Sequence, residues 1–267
     1  MSGTGLERQS GGIEQEQFAS RSIVVKIGSS TITRGATKES PLNVALIDDI
    51  ARQCSQLYKN GVDVVIVSSG AVACGRHLLS IDEDDIRDKQ VEAVYGQPTL
   101  ISTWVNAFRK HGVVAGQALI TENDLEEAKK VLPKSLKSGV VIVNRNDAVS
   151  TDEMEAFLRL ADNDYNTQEV AEIIDADTVL LLTDVDGVLD SNNQLIENSS
   201  SIDGETRFFQ SSDIGTGGMV TKVRVCKDLS EKGKRCVIAN GSRMDVVLDV
   251  ARGKTLGYTT FQPKTGN

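Results

Sequence analysis

Apolar and polar positions along this chain follow two periods in alternation. Short, nearly continuous apolar runs fall at 23–27, 62–67, 113–120, 140–143, 178–182, 236–239 and 256–261. Runs of this length read as buried strands. Between them the spacing lengthens to that of a helix. Ser40-Pro41 reads as an N-cap followed by proline at the first helical position, and Leu46, Ile50, Cys54 and Leu57 form a stripe closed by Gly61. A longer helical region at 86–110 is broken or bent near Gly96-Gln97-Pro98 and turns Ile101, Trp104, Val105 and Phe108 inward, with Gly112 as its stop. Trp104, the single tryptophan, is assigned to core packing. Thr121 and Asp124 form a capping pair opening a helix that runs to about residue 138, and Val170, Ile173 and Ile174 mark another. Further helices are expected over 219–232 and 244–251, and 191–209 is a polar surface excursion.

Strand and helix repeated in this order predict an α/β fold, a mostly parallel central sheet with helices on both faces, because each parallel crossover needs a dozen or more residues. Ligands of such sheets bind at the carboxyl ends of the strands. That rim gathers Lys26 to Ser30, Ser68 to Ala71, Asn144 to Asp147 and Thr183 to Gly187.

Composition narrows the partners. At 267 residues with a net charge of −9 and no long basic cluster, the chain is a poor candidate for nucleic acid or an anionic membrane surface. No apolar run approaches the roughly 20 residues of a membrane span. Residues 1–21 are polar and read as a disordered leader, neither signal nor transit peptide, ahead of one domain over 22–267. Cys54, Cys74, Cys226 and Cys236 lack C-x-x-C spacing, which argues against a disulfide frame or zinc site and for a reducing, cytoplasmic compartment.

Two stretches carry candidate phosphate chemistry. In Ile23-Val-Val-Lys-Ile-Gly-Ser-Ser30, a lysine inside a buried strand stands just before Gly28, Ser29 and Ser30, whose backbone N–H groups can face an anion. A lysine snorkelling from an edge strand is the alternative. In Gly215-Thr216-Gly217-Gly218-Met219-Val220-Thr221-Lys222, glycines allow close backbone approach, a helix start offers free donors, and Lys222 lies about one turn in. Neither the Gly-Lys-Ser/Thr order of a Walker A loop nor the dinucleotide fingerprint is present.

Taken in order, Val24-Val-Lys-Ile-Gly-Ser-Ser30, Val67-Ser-Ser-Gly-Ala71, Asn146-Asp-Ala-Val149, Asp162-Asn-Asp164, Leu182-Thr-Asp-Val-Asp-Gly187 and Gly215 to Lys222 resemble the successive motifs of the amino acid kinase family, over nearly the whole chain from Ser22 to Phe261. The resemblance implies an αβα sandwich with an amino-acid-binding lobe over about 22–175 and a nucleotide-binding lobe over about 176–267. It implies dependence on ATP and magnesium, and phosphorylation of the side-chain carboxylate of L-glutamate to L-glutamyl 5-phosphate, the first step toward proline. By the same resemblance Lys26 and Lys222 are catalytic. Ser69, Asp147 and Asn163 bind the amino acid, with Gly70, Ala71 and Asp164 lining that pocket. Lys26, Gly28, Ser29, Thr183, Asp184, Thr216, Gly217, Gly218, Met219, Val220, Thr221 and Lys222 contact the nucleotide. Magnesium is held mainly by the phosphates and not by a protein cage. Proline as feedback inhibitor, a homo-oligomer of two or four chains, and a form without the C-terminal RNA-modification-type (PUA) domain of many bacterial members complete the implied picture.

Read without the resemblance, Asp162 and Asp164 serve equally well as loop carboxylates capping a helix, and Asp184 and Asp186 as turn residues. Rival acceptors are N-acetylglutamate, aspartate or a nucleoside monophosphate, and a non-catalytic amino-acid-binding regulator is the reading from another class. Arg145 and Ala161 depart from the family pattern, as does the lengthened loop over 148–161, and these departures bear on substrate affinity and on proline inhibition.

Overall fold

The computed structural model describes residues 17–80, 85–149, 163–202 and 218–264. Seven strands make one sheet in the order β3-β4-β2-β1-β5-β6-β7. They are β1 (Ser22–Ile27), β2 (Asp63–Ser68), β3 (Ala115–Ile120), β4 (Val140–Arg145), β5 (Thr178–Thr183), β6 (Arg235–Asn240) and β7 (Thr259–Phe261). All neighbouring pairs are parallel except β6 with β7, which run antiparallel. The α/β class and the mostly parallel sheet read from the sequence are what the chain forms.

Each central strand feeds two cores, since successive side chains point to opposite faces. From β1, Ile23, Val25 and Ile27 enter one core, which is covered by α2 (Val44–Lys59), α3 (Ala71–Leu79), α4 (Ile86–Lys110) and α8 (Val246–Ala251). Val24 enters the other, covered by α5 (Leu125–Ser135), α6 (Asn163–Ile173) and α7 (Met219–Glu231). Lys26 has the parity of Val24, so its side chain leaves the sheet on the α6–α7 side. β1 lies between β2 and β5, where the chain changes its direction of travel across the sheet, and such a switch point opens a crevice at the strand's carboxyl end.

Several local expectations change. The first long helix starts three residues later than Ser40-Pro41 proposes: Asn43 is its N-cap, its side chain accepting from the Leu46 N–H, while the Ser40 hydroxyl donates to the Leu42 carbonyl. Asn is as good a cap as Ser, and the apolar stripe alone does not choose between them. The region at 86–110 is one unbroken helix with Pro98 inside it. Gly96 answers to packing instead: a Cβ there would lie 1.9 Å from the Ala71 carbonyl oxygen, and one on Gly75 1.8 Å from that of Glu92. The two glycines let α3 cross α4 almost backbone to backbone, and α3 itself is a helix the periodicity did not announce. The capping pair at Thr121 and Asp124 forms as expected, opening a 3-10 turn (Glu122–Asp124) that leads into α5. The last strand is shorter than 256–261.

The cysteine expectation is overturned. Cys226 on α7 and Cys236 on β6 form a disulfide, because α7 packs directly over β6 and brings the two Cα atoms to 5.2 Å. Ten residues of separation carry no recognisable spacing, so only the packing reveals the pair. Cys54 and Cys74 are free and buried. The packed chain also begins before β1. The Ala19 N–H donates to the Ala251 carbonyl, and Ser20 is buried with its hydroxyl 2.8 Å from that of Thr178. The two expected lobes share one sheet and are stitched by α2 and α8, where the Gln53 side-chain carbonyl accepts from the Val247 N–H at 2.8 Å.

Candidate active site

Two ammonium groups meet one carboxylate at the carboxyl rim of β1. Lys26 Nζ lies 2.5 Å from Asp164 Oδ1, and Lys222 Nζ lies 3.3 Å from Asp164 Oδ2. Lys26 is delivered by β1, Asp164 by the first turn of α6 and Lys222 by the first turn of α7. Burial is nearly complete, with residue exposures of 3% for Lys26, 8% for Lys222 and 0% for Asp164. Buried charges of this kind persist only when paired, and here two cations share one anion. The cluster places two ammonium groups at a rim where ligands bind, and an anion is a natural complement to them.

Backbone donors surround that charge. Gly28 caps α1 (Ser29–Ile32) without a side-chain partner, and a Cβ on it would sit 3.8 Å from Lys26 Nζ, so the ammonium lies beside this turn. Gly218 caps α7 in the same way, in extended conformation and with no side-chain hydrogen bond. The first N–H groups of any helix have no intrahelical acceptor and sit at the positive end of its dipole. Ser29, Met219 and Val220 occupy these first turns, whereas the Thr221 N–H donates to the Gly218 carbonyl at 3.1 Å. Thr216 and Gly217 lie outside the described residues, as do Gly215, Ala161, Asp162 and the chain from 150 to 161.

At the end of β5, Thr183 donates its hydroxyl to Asp184 Oδ1 at 3.1 Å, and Arg34 approaches Asp184 at 3.7 Å. The Thr183 carbonyl accepts from the Gly241 N–H at 2.9 Å, tying this corner to the end of β6.

On the other side of β1 the sequence Ser69-Gly70-Ala71 turns β2 into α3. Gly70 holds φ at +109° and a Cβ there would meet Ile32 Cγ2 at 2.7 Å, so only glycine fits the turn. Ser69 is buried and its hydroxyl has no hydrogen-bond partner among the described residues. Asp147 begins a 3-10 turn (Asp147–Val149) just past β4. Burial pushes its carboxyl up to about 6, with the nearby Arg145 guanidinium pulling the other way. A perturbed acid at a strand's carboxyl end is a candidate for receiving a ligand's cation. Asn163 opens α6 one residue before Asp164. A cleft flanks this end of β4, walled by Val67, Leu125, Val143, Asn166 and Ile173, and it reaches neither lysine.

Of the residues that the sequence places at the rim, Lys26, Lys222 and Asp164 meet. Asp164, expected to line the amino-acid pocket, has both oxygens facing ammonium groups. A bookkeeping of charge would have found it, since two buried lysines require an acid. Gln97, whose side-chain carbonyl accepts from Asn144 at 2.7 Å, was read only as part of a helix break. Among the described residues no group of three or more His, Cys, Asp and Glu could hold a metal ion. With Asp164 engaged twice, a divalent ion fits this donor set as the partner of a ligand's own phosphates.

Comparison with known proteins agrees with the geometry. Residues 21–240 match the amino acid kinase family. The chain is 35% identical over 260 residues to the glutamate 5-kinase of Clostridium acetobutylicum, covering 91% of this chain and 94% of that one. It is 33% identical to that of Clostridium perfringens, covering 92% and 97%. It is 38% identical to that of Aliivibrio salmonicida, covering 91% and 69%. A buried lysine pair facing one carboxylate, a Ser-Gly-Ala turn and an acid past β4 thus stand in a sequence that matches over most of its length: the chain belongs to the amino acid kinase family.

Proposed function

We propose that this chain transfers the γ-phosphoryl group of ATP to the side-chain carboxylate of L-glutamate, forming L-glutamyl 5-phosphate, as a glutamate 5-kinase on the route to proline. The observation that carries the reading is the convergence of Lys26 and Lys222 on Asp164. A phosphoryl group in flight spreads negative charge over its oxygens, and positioned cations and N–H donors stabilise it. Lys26 beside the Gly28–Ser29 turn and Lys222 in the first turn of α7 supply both. Asp164 acts as a positioning residue that holds the two ammonium groups apart at fixed places. The acceptor needs no general base, since a glutamate carboxylate of pKa about 4.3 is ionised at neutral pH.

Nucleotide phosphates lie over the starts of α1 and α7, contacting Gly28, Ser29, Gly218, Met219, Val220 and Thr221, with Thr216 and Gly217 in the approach to α7. Thr183 and Asp184 face the remainder of the nucleotide. Magnesium would be held by the phosphates, and would supply neutralisation of their charge. Glutamate lies across β1 from this, its carboxylate on the Ser69 hydroxyl and the N–H groups of Gly70 and Ala71, its ammonium on Asp147, with Asn163 alongside. An acylated amine would leave Asp147 buried without a cation, which argues against N-acetylglutamate. A cytoplasmic location, proline as end-product inhibitor and a homo-oligomer rest on the family resemblance.

The test is trapping of the acyl phosphate with hydroxylamine in the presence of ATP and Mg²⁺. Glutamate is expected to give hydroxamate well above aspartate and N-acetylglutamate. Equal signal from all three, or none from glutamate, would remove the assignment. A pH profile reads Asp147 directly. In the empty site its carboxyl is neutral below about 6 and cannot hold the ammonium. The KM for glutamate is expected to rise by roughly tenfold per pH unit below about 6, with kcat at saturating glutamate unaffected by this group. In Asp147→Asn the KM should be high and flat across that range. A wild-type KM that stays constant from pH 7 to 5 contradicts the ammonium assignment.

A further inference from the structure

We infer that Trp104 and Ser68 are positioning residues for glutamate, forming a hydrogen-bond relay that sets the orientation of the Ser69–Gly70 peptide. The inference rests on the glutamate-kinase reading above and deepens it. Trp104 Nε1–H donates to Ser68 Oγ at 3.0 Å, and Ser68 Oγ–H donates to the Ser69 carbonyl at 3.0 Å. The three residues are buried, with exposures of 0%, 1% and 4%. Within such surroundings each link polarises the next, and no water competes for it. One hydroxyl both accepts and donates, so removing it takes this partner from the Trp104 N–H and from the Ser69 carbonyl at once.

The consequence lies at the peptide, not in the core. Among the described residues no peptide bond is cis, so the Gly70 N–H points opposite to the Ser69 carbonyl. Fixing that carbonyl therefore fixes the direction of the first free donor of the Ser69-Gly70-Ala71 turn. The Ser69 N–H is already tied to the Ile27 carbonyl at 3.1 Å, and the Gly70 carbonyl accepts from the Cys74 N–H at 2.9 Å. Those bonds hold the residues on either side. The relay holds the one remaining peptide plane, which otherwise could rotate between them.

A tryptophan in a core needs only volume; this one also spends its single donor on a serine next to the substrate turn. Trp104 stacks on Phe108 with ring centroids 6.1 Å apart, so Trp104→Phe keeps an aromatic in the packed site while removing the N–H together with part of the indole's volume. Ser68→Ala removes the middle link with almost no change in volume.

Steady-state kinetics with each variant, the double variant and the wild type in the hydroxamate assay test the relay. Trp104→Phe and Ser68→Ala are each expected to raise the KM for glutamate by about five- to tenfold, the worth of one buried hydrogen bond. The KM for ATP and kcat at saturating glutamate should change less than twofold on the scale of such a bond. The double variant should resemble Ser68→Ala alone, since both lesions cut one chain. A merely structural role would instead lower kcat, raise both KM values or multiply in the double variant, and any of these outcomes overturns the relay, as does an unchanged glutamate KM. Ser68→Ala decides the matter if Trp104→Phe does not fold. A wild type that forms no glutamyl hydroxamate fails the kinase reading, whereas active wild type with indifferent variants fails the relay only.

Discussion

Lys222→Ala is expected to lower kcat by about 10³-fold, because it removes one of two cations that face the transferring phosphoryl group in a dry site. The side chain comes from the first turn of α7 and reaches Asp164 from the side opposite Lys26. Asp164 keeps Lys26 at 2.5 Å after the loss of Lys222, so the fold should survive. Glutamate is expected to stabilise the variant against heat as well as it does the wild type, since its proposed pocket lies across β1 at Ser69, Gly70, Ala71 and Asp147. Turnover by the hydroxamate assay and a thermal melt with and without glutamate read the two halves of this statement. A kcat within tenfold of wild type would remove Lys222 from the chemistry.

Asp164→Asn acts in the opposite sense, on the fold as much as on the reaction. Replacing the shared carboxylate with an amide removes the anion that both ammonium groups face, at exposures of 3% and 8%. Breaking a buried ion cluster by removing one partner costs about 3–5 kcal/mol. For a chain of this size that corresponds to a fall in Tm of about 10 °C. ATP with Mg²⁺ should restore more stability to the variant than it adds to the wild type, because the phosphates replace part of the missing negative charge. Turnover should fall as well, since the lysines are no longer held at fixed places. Calorimetry with and without nucleotide gives both Tm values, and equal shifts in wild type and variant would show that the triad does not face the nucleotide.

The two substitutions separate catalysis from organisation. Lys222 is expected to matter to the transition state with little effect on the free protein. Asp164 is expected to matter to the free protein first. Had the lysines been independent features of two phosphate loops, as each looked in isolation, no single carboxylate would couple them.

Much of this was legible in the amino-acid sequence. Periodicity marked the strands to within a few residues, the buried-strand lysine at 26 and the glycine-to-lysine run ending at 222 pointed to an anion, and the order of motifs named the family that the comparisons confirm. These are local signals: a side-chain period of two or 3.6, a glycine where a turn is tight, a charge where an apolar run should be uninterrupted. Which groups meet was decided only by the tertiary structure. Asp164 is 138 residues from Lys26 and 58 from Lys222, and the three converge because β1, α6 and α7 stack on one face of the sheet. The Cys226–Cys236 bond, the antiparallel last strand, the crossing of α3 over α4 at Gly75 and Gly96, and the Trp104–Ser68 relay belong to the same class. Local pattern sets how a segment folds and which side it buries; the identity of the buried partner depends on the register of segments distant in the chain, which no window of sequence contains.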